Sequence, residues 1–566
     1  MRARLAFVLA ALLALPLLAG CLQADPLAAP ASATGPPVPV SEALYEILPP
    51  EAVLTPMADG ILLHAGVYRP SVPEGEKVPV IIDMSPYWGN SKLPALEGGN
   101  GFSQWLIDYF VPRGYAVVLA SVRGTGLSEG CWNHGGALEQ RDAYDLVEFY
   151  GTQSWSNGKV ALIGKSYDGT TPLEAAIQNP PHLATIVPMA GLPFMYGYNY
   201  MNGVGYEIQG PLFNIYYPAS VSVGPDQVLD PAPFRAATRP CAGLAAAMAE
   251  GLVTHFTGTN DAFWQERDYR ALIPGIQAPV FYIHGLQDWN VKPDMIHAYN
   301  TITAPKMAWF GQWYHDYPHR GDWNTTLLTW FDHWLKGLDN GVEKLYGVHV
   351  SDNLGVWRHE AEWPPLRAVN TTLFLTEGGF AATPGSEGGA PFLSLPSTDP
   401  NPATDRTPME AVYFEGETLT EALRVSGAPR VSLFVDSTRP LGRVATTLYE
   451  IDQNGTWHWV TRGFMDMKHR DSLDTVQPVV PGEAYNLTFD LYPLDHVFQA
   501  GSRVGFAVSS EANGWILPDG STPTLMGLHW GGSEASALTL PVLPDATPLD
   551  PQPPMRERCD VEGNCG

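Results

Sequence analysis

The chain has 566 residues, 45% of them hydrophobic and 16% charged, a globular composition long enough for about three or four domains. Its 59 acidic against 32 basic residues give a formal charge of −27. That balance lacks the clustered Lys and Arg that a phosphate backbone needs, so it argues against nucleic acid as a partner and describes a solvated acidic surface.

The first element is not part of the folded body. "MRARLAFVLAALLALPLLAGC" carries two arginines, an apolar run and then Leu18-Ala19-Gly20-Cys21, the layout of an export signal over residues 1–20. It resembles a bacterial lipobox, which implies cleavage before Cys21 and lipid on that cysteine. Residues 21–43 are rich in Pro, Ala and Ser and read as a flexible tether. Elsewhere no segment reaches the ~18–20 continuous apolar residues of a membrane span. The expectation is an exported, lipid-anchored cell-surface protein facing the extracellular or periplasmic space.

Export fits the other cysteines. Cys131, Cys241, Cys559 and Cys565 are even in number, as a disulfide framework requires, and four cysteines allow three connectivities. The short separation in "CDVEGNC" favours Cys559 with Cys565, leaving Cys131 with Cys241. No pair has the two-residue spacing of a metal site, so no metal is expected. Sequons at Asn324, Asn370, Asn454 and Asn486 matter only in a host that glycosylates.

From 44 to 345 apolar runs at 78–87, 115–124, 159–164 and 278–285 alternate with helical stretches such as 138–153, which predicts a mostly parallel sheet wrapped by helices. The alternation lapses between about 192 and 275, an insertion placed to cap a site. From 346 to 541 short alternating runs at 430–437, 444–452 and 503–510 predict an all-β sandwich or jelly roll. Residues 542–566 form a tail holding the Cys559/Cys565 pair.

The chemistry concentrates in "KVALIGKSYDGTTPLEAA", residues 159–176. A serine hydroxyl needs a base to become a nucleophile, and a strained turn from strand to helix exposes it between small residues. Ser166 has Gly164 two before it and Gly169 three after it, with Asp168 where Gly-x-Ser-x-Gly would place glycine and Pro172 read as an early helical turn. Such a serine demands an acid and then a histidine, each closing a later strand. "APVFYIHGLQDWNVKP" supplies Asp288, and "KMAWFGQWYHDYPHR" supplies His315. His284 reads as a core histidine and His319 as a rival to His315. Asp316, adjacent to His315, is badly placed to orient that ring. The oxyanion donors are the amide of Tyr167 and, in "DMSPYWGN", the Tyr87 hydroxyl or a neighbouring amide.

Taken together, "GKSYDGT", "SPYWG", "VRGTGLSEG", "HGLQDWNVKP" and "VWRHEAEWPP" resemble the Xaa-Pro dipeptidyl-peptidase and cocaine-esterase superfamily over residues 45–541. The resemblance implies an α/β-hydrolase with a helical cap, followed by a jelly roll. It implies Ser166, Asp288 and His315 as catalytic residues, Tyr87 and Tyr167 as the oxyanion hole, and no cofactor. The family usually has an apolar residue at the place of Asp168. A dipeptidyl-peptidase must hold a free α-ammonium and pack a proline ring. Glu207 is the candidate for the first task, and Trp88 and Trp289 for the second. The alternatives are an esterase or acylase acting on an ester substrate, and a surface protein that binds sugar through its jelly roll. Oligomeric state is open, with a homo-oligomer among the readings.

Overall fold

The computed structural model describes residues 40–87, 99–207, 257–395, 409–512, 514–517 and 523–544. The export signal, the expected tether up to residue 39, Cys21, Trp88, Cys241, Cys559, Cys565 and most of the expected cap lie outside the described residues.

Twelve strands come first in the chain. They are β1 (Glu51–Pro56), β2 (Leu62–Tyr68), β3 (Val78–Ser85), β4 (Ala116–Ser121), β5 (Ser156–Lys165), β6 (Leu183–Met189), β7 (Tyr200–Met201), β8 (Val204–Gly205), β9 (Val280–Gly285), β10 (Lys306–Gly311), β11 (Gly347–Ser351) and β12 (Trp357–Glu360). All but β7 and β8 form one sheet in the order β1-β2-β4-β3-β5-β6-β9-β10-β11-β12. Pairing from β4 through β11 is parallel, and the pairs at both edges are antiparallel.

A parallel strand covered on both faces must be apolar on both, and β3 is buried at every position. Its residues divide by period two. Val80 and Ile82 enter one core with Leu146 of α2 (Ala137–Gly151) and Leu173 of α3 (Tyr167–Ala176). Ile81 enters the opposite core with Leu106 of α1 (Gly99–Phe110) and Phe331 of α4 (Trp323–Lys336). The chain leaves β3 for β4 on one side and returns to β5 on the other, so the order reverses at β3. Open sheets of this kind place ligands outside the carboxyl ends of the strands at that reversal.

Beyond Glu360 the described strands pair antiparallel in a nine-stranded and a four-stranded sheet. Strand Arg430–Ser437 alternates exposed or half-buried residues with buried ones, as a strand with one face on the core does. Its inward side chains Val431, Leu433 and Val435 meet Phe414, Phe506 and Leu528 in a second hydrophobic centre. The predicted strands 430–437, 444–452 and 503–510 are found at Arg430–Ser437, Arg443–Ile451 and Arg503–Ser509.

The β7–β8 hairpin joins the two halves. The Asn202 side-chain amide donates to the Phe464 carbonyl at 2.9 Å, and the Asp466 amide donates to the Asn202 carbonyl at 3.0 Å. Tyr206 pairs with Ile516 as an isolated bridge and shares a hydroxyl hydrogen bond with Tyr492.

Candidate active site

The elbow at Ser166 is built by close backbone approach. A Cβ on Gly169 would lie 2.1 Å from the Met189 carbonyl oxygen, and one on Gly164 would lie 2.5 Å from the Asp168 carbonyl oxygen. Only glycine lets β5, β6 and the start of α3 come this close. The turn drives Ser166 to φ +69° and ψ −123°, a region a side-chain-bearing residue enters only when its surroundings force it. The Ser166 amide donates to the Met189 carbonyl at 2.9 Å, and the Ser166 carbonyl accepts from the amides of Gly169 and Thr170. Pro172 sits inside α3 rather than in its first turn, and the Thr171 hydroxyl lies 3.2 Å from the Asp168 carbonyl that proline cannot serve.

Asp288 follows β9 and His315 follows β10, two adjacent parallel strands. The Nδ1 of His315 is 2.8 Å from Oδ2 of Asp288. The other oxygen, Oδ1, accepts from the amides of Asn290 at 2.8 Å and Val291 at 2.9 Å. Burial alone would raise the Asp288 pKa, yet His315, with His284 and the Asn290 amide, outweighs it and holds the carboxyl below its usual range. An ionised acceptor fixes the proton on Nδ1. The Nε2 of His315 is buried and has no hydrogen-bond partner among the described residues. Such a nitrogen is what a general base offers a hydroxyl. Lys165, next to Ser166, reaches 3.5 Å from the His315 carbonyl and lies over the Tyr317 ring, so the elbow and the histidine loop share one edge.

Tyr87 lies two residues beyond β3, half-buried and packed on the core. Tyr167 opens α3, and its amide therefore belongs to a helix start, where backbone donors point outward. Tyr87 and Tyr167 thus follow β3 and β5, the strands at which the sheet order reverses.

Other candidates are placed as follows. His284 is fully buried and hydrogen-bonds the Val291 carbonyl through Nε2 at 2.9 Å. His319 is exposed and pairs with Asp316 at 2.7 Å, away from Asp288. Trp289 is 40% exposed. Glu207 is exposed, and its Oε2 accepts from the Gly514 amide at 2.8 Å, which ties it to the second half of the molecule. Asp168 is buried in the first turn of α3. Cys131 is disulfide-bonded, and its partner lies outside the described residues. A cavity of about 370 Å³, lined by Tyr196, Tyr200, Asp294 and Phe489 among others, contains none of Ser166, Asp288 or His315. Among the described residues no group of three or more His, Cys, Asp or Glu is arranged to hold a metal, and no helix is long and apolar enough to cross a membrane.

A set of buried ionisable residues near the elbow was not singled out from sequence. Glu139 and Glu174 are wholly buried, and Arg267 is nearly so. The signal was present: residues 139, 142, 143, 146, 147 and 150 of α2 form one buried stripe, and two of its six members are acids.

Strand order, elbow and the acid–histidine pair define a hydrolase of the α/β type. Residues 59–317 match the model of the X-Pro dipeptidyl-peptidase (S15 family), and residues 340–529 match that of the X-Pro dipeptidyl-peptidase C-terminal non-catalytic domain. The chain belongs to the Xaa-Pro dipeptidyl-peptidase and cocaine-esterase superfamily, and is a hydrolase. It is 28% identical to a Bacillus anthracis protein named "Putative Xaa-Pro dipeptidyl-peptidase", covering 84% of this chain and 83% of that one. It is 25% identical to the cocaine esterase of Rhodococcus sp. (strain MB1 Bresler), covering 81% and 90%. A CocE/NonD family hydrolase from Staphylococcus aureus superposes with a TM-score of 0.71 at 19% identity, covering 88% of this chain and 93% of that one, a likeness of fold.

Proposed function

We propose that the protein is a serine peptidase that releases Xaa-Pro dipeptides from free N-termini. The observation that carries the mechanism is the His315–Asp288 pair, whose Nε2 is left unpartnered on the edge where Ser166 is held at a strained turn. Ser166 Oγ attacks the scissile carbonyl while His315 Nε2 takes its proton. Asp288 holds the imidazole and stabilises its charged form. The Tyr167 amide and the Tyr87 hydroxyl receive the oxyanion. His315 then protonates the leaving amine, and a water activated by the same nitrogen hydrolyses the acyl-enzyme.

The peptide substrate is supported by the match of both halves of the chain to X-Pro dipeptidyl-peptidase models. In this reading Glu207 meets the α-ammonium, because an ionised carboxylate that accepts one amide keeps capacity for more donors. Trp289 and Trp88 pack the proline ring. The second reading, a carboxylesterase or acylase, is favoured by the cocaine-esterase relative and uses the same machinery. The proposal extends to architecture and placement. Residues 44–345 are the catalytic domain with its cap at 192–275, and 346–541 a jelly roll. Cys131 pairs with Cys241 and Cys559 with Cys565. The signal at 1–20 and lipid on Cys21 tether the protein to the cell surface through residues 21–43.

The test is turnover of Ala-Pro-nitroanilide and a short-chain nitrophenyl ester by tether-free protein, with Ser166→Ala alongside. Ser166-dependent release of nitroaniline, abolished by acetylating the substrate amine, is the expected result. Ester turnover alone selects the second reading, and Ser166-independent turnover overturns the mechanism.

A further inference from the structure

The residue after the serine carries more than an amide. The Tyr167 side chain turns into the protein, 5% exposed, where its hydroxyl donates to Oε1 of Glu139 and accepts from the Trp132 indole N–H at 2.9 Å. The second oxygen of Glu139 accepts from the Gly135 amide at 3.1 Å. Glu139 thus receives one donor on each oxygen, the arrangement of an ionised carboxylate.

The loop that carries Trp132 and Gly135 is itself fastened. Arg267 donates through Nε to the His134 carbonyl at 3.1 Å, through one terminal nitrogen to the Asn133 carbonyl at 2.9 Å, and through the other to the Phe263 carbonyl at 2.6 Å. The Tyr269 hydroxyl hydrogen-bonds the Gly135 carbonyl and lies 2.8 Å from Oε1 of Glu174. A phenol has one proton. If Tyr269 gives it to the carbonyl, the contact with Glu174 is satisfied when Glu174 is the protonated donor. Burial, with Glu139 and Asp142 adding to it, raises the Glu174 pKa well above the usual carboxylate range, against the opposing effects of Tyr269 and Arg267. Burial also raises that of Glu139, opposed by Tyr167, the Gly135 amide, Arg123 and Arg267. Burial thus pushes both carboxyls toward the neutral form, Glu174 the more strongly, while the donors from Tyr167 and Gly135 favour the charged form of Glu139.

We propose that Glu139 is a positioning residue for the oxyanion hole, acting through the Tyr167 hydroxyl to hold the first turn of α3 so that the Tyr167 amide points at the developing charge. It rests on the reading of Ser166 as nucleophile. The amide and the phenol belong to one residue, so any rotation of that residue about the elbow moves both. A side chain anchored at its far end by two hydrogen bonds resists that rotation, and a misplacement of about 1 Å in a catalytic group can cost about 100-fold.

The experiment compares Tyr167→Phe, Glu139→Gln, the double variant and Ser166→Ala on the substrate that the wild type turns over, with melting temperatures alongside. Deleting a whole oxyanion donor costs about 100- to 1,000-fold in kcat, so misaiming one is expected to cost about 5- to 50-fold. KM should stay within about 2-fold, and the double variant should be no worse than the more damaging single, since both act on the same Tyr167–Glu139 bond. Tyr167→Phe removes a single oxygen and leaves the ring in place, so it tests the inference even where Glu139→Gln does not fold. Unchanged kcat in Tyr167→Phe, a loss confined to melting temperature, or additive losses would overturn the positioning role. Wild-type turnover that survives Ser166→Ala would instead overturn the nucleophile reading, and the inference with it.

Discussion

At the scale of single residues, the wiring of Asp288 makes a sharp prediction. Its Oδ1 is committed to two amides and its Oδ2 to His315. In Asp288→Asn the amide oxygen must stay with those two N–H groups, which turns the NH2 toward Nδ1. The ring then accepts at Nδ1 and carries its proton on Nε2, where a base is needed. The expected loss is about 10,000-fold in kcat at neutral pH, measured on the substrate that the wild type cleaves, with little change in melting temperature. A loss under about 10-fold would remove Asp288 from the mechanism. The positions of Ser166, Asp288 and His315 at strand ends were legible in the sequence, because an apolar run followed by glycine and a polar residue marks where a strand stops. Glu139 was not. An acid inside a helix reads as solvated until its phase against the apolar stripe is counted, and its partner Tyr167 lies 28 residues away.

At the scale of elements, the elbow depends on three backbones meeting at α3. Gly169→Ala places a methyl group against the Met189 carbonyl, with backbone on both sides and no side chain to yield. Overpacking of this kind costs about 1–3 kcal/mol. It should appear as a lowered denaturation midpoint together with lost turnover, since β6 and α3 must separate. A variant with unchanged midpoint and activity would show that the elbow has slack. Most elements of the first half were legible. The helix expected at 138–153 is α2 at Ala137–Gly151, and the runs at 78–87 and 278–285 contain β3 and β9. The start of β5 was hidden, because "SNG" at 156–158 reads as a turn while Ser156 pairs in register with Val78. Tertiary pairing overrode local preference there. Strand order was not legible, since the sequence carries no mark of which neighbour β5 will choose.

At the scale of the whole molecule, buried ionisable groups set how the fold answers to acid. His134 is 5% exposed, and neither ring nitrogen has a hydrogen-bond partner among the described residues. Burial, helped by Arg267, lowers its pKa to about 3. The unfolded chain takes up that proton near pH 6.5 and the folded one does not, so this residue's contribution is lost as pH falls from 6.5 toward 3, by up to about 1.4 kcal/mol per pH unit. Asp142, raised to about 7 by burial against the pull of Arg123, acts in the opposite sense, so the net curve hides the effect. His134→Asn isolates it, because Asn accepts the φ of +53° found there and does not titrate. The variant should gain melting temperature relative to the wild type as pH drops from 7 to 5, and a constant difference would show that His134 is not held neutral. The hairpin Tyr200–Gly205 has a wider consequence. It grows from the sheet that carries Ser166, yet its neighbours Phe464, Tyr492 and Ile516 are encoded some 260 to 310 positions later. A mutation at residues 514–517, in a half that supplies none of Ser166, Asp288 and His315, reaches Glu207 through the Gly514 amide in a single hydrogen bond. On the proposed role of Glu207 at the substrate's ammonium, substrate choice in this lineage would be heritable through a segment that carries none of the proposed catalytic residues.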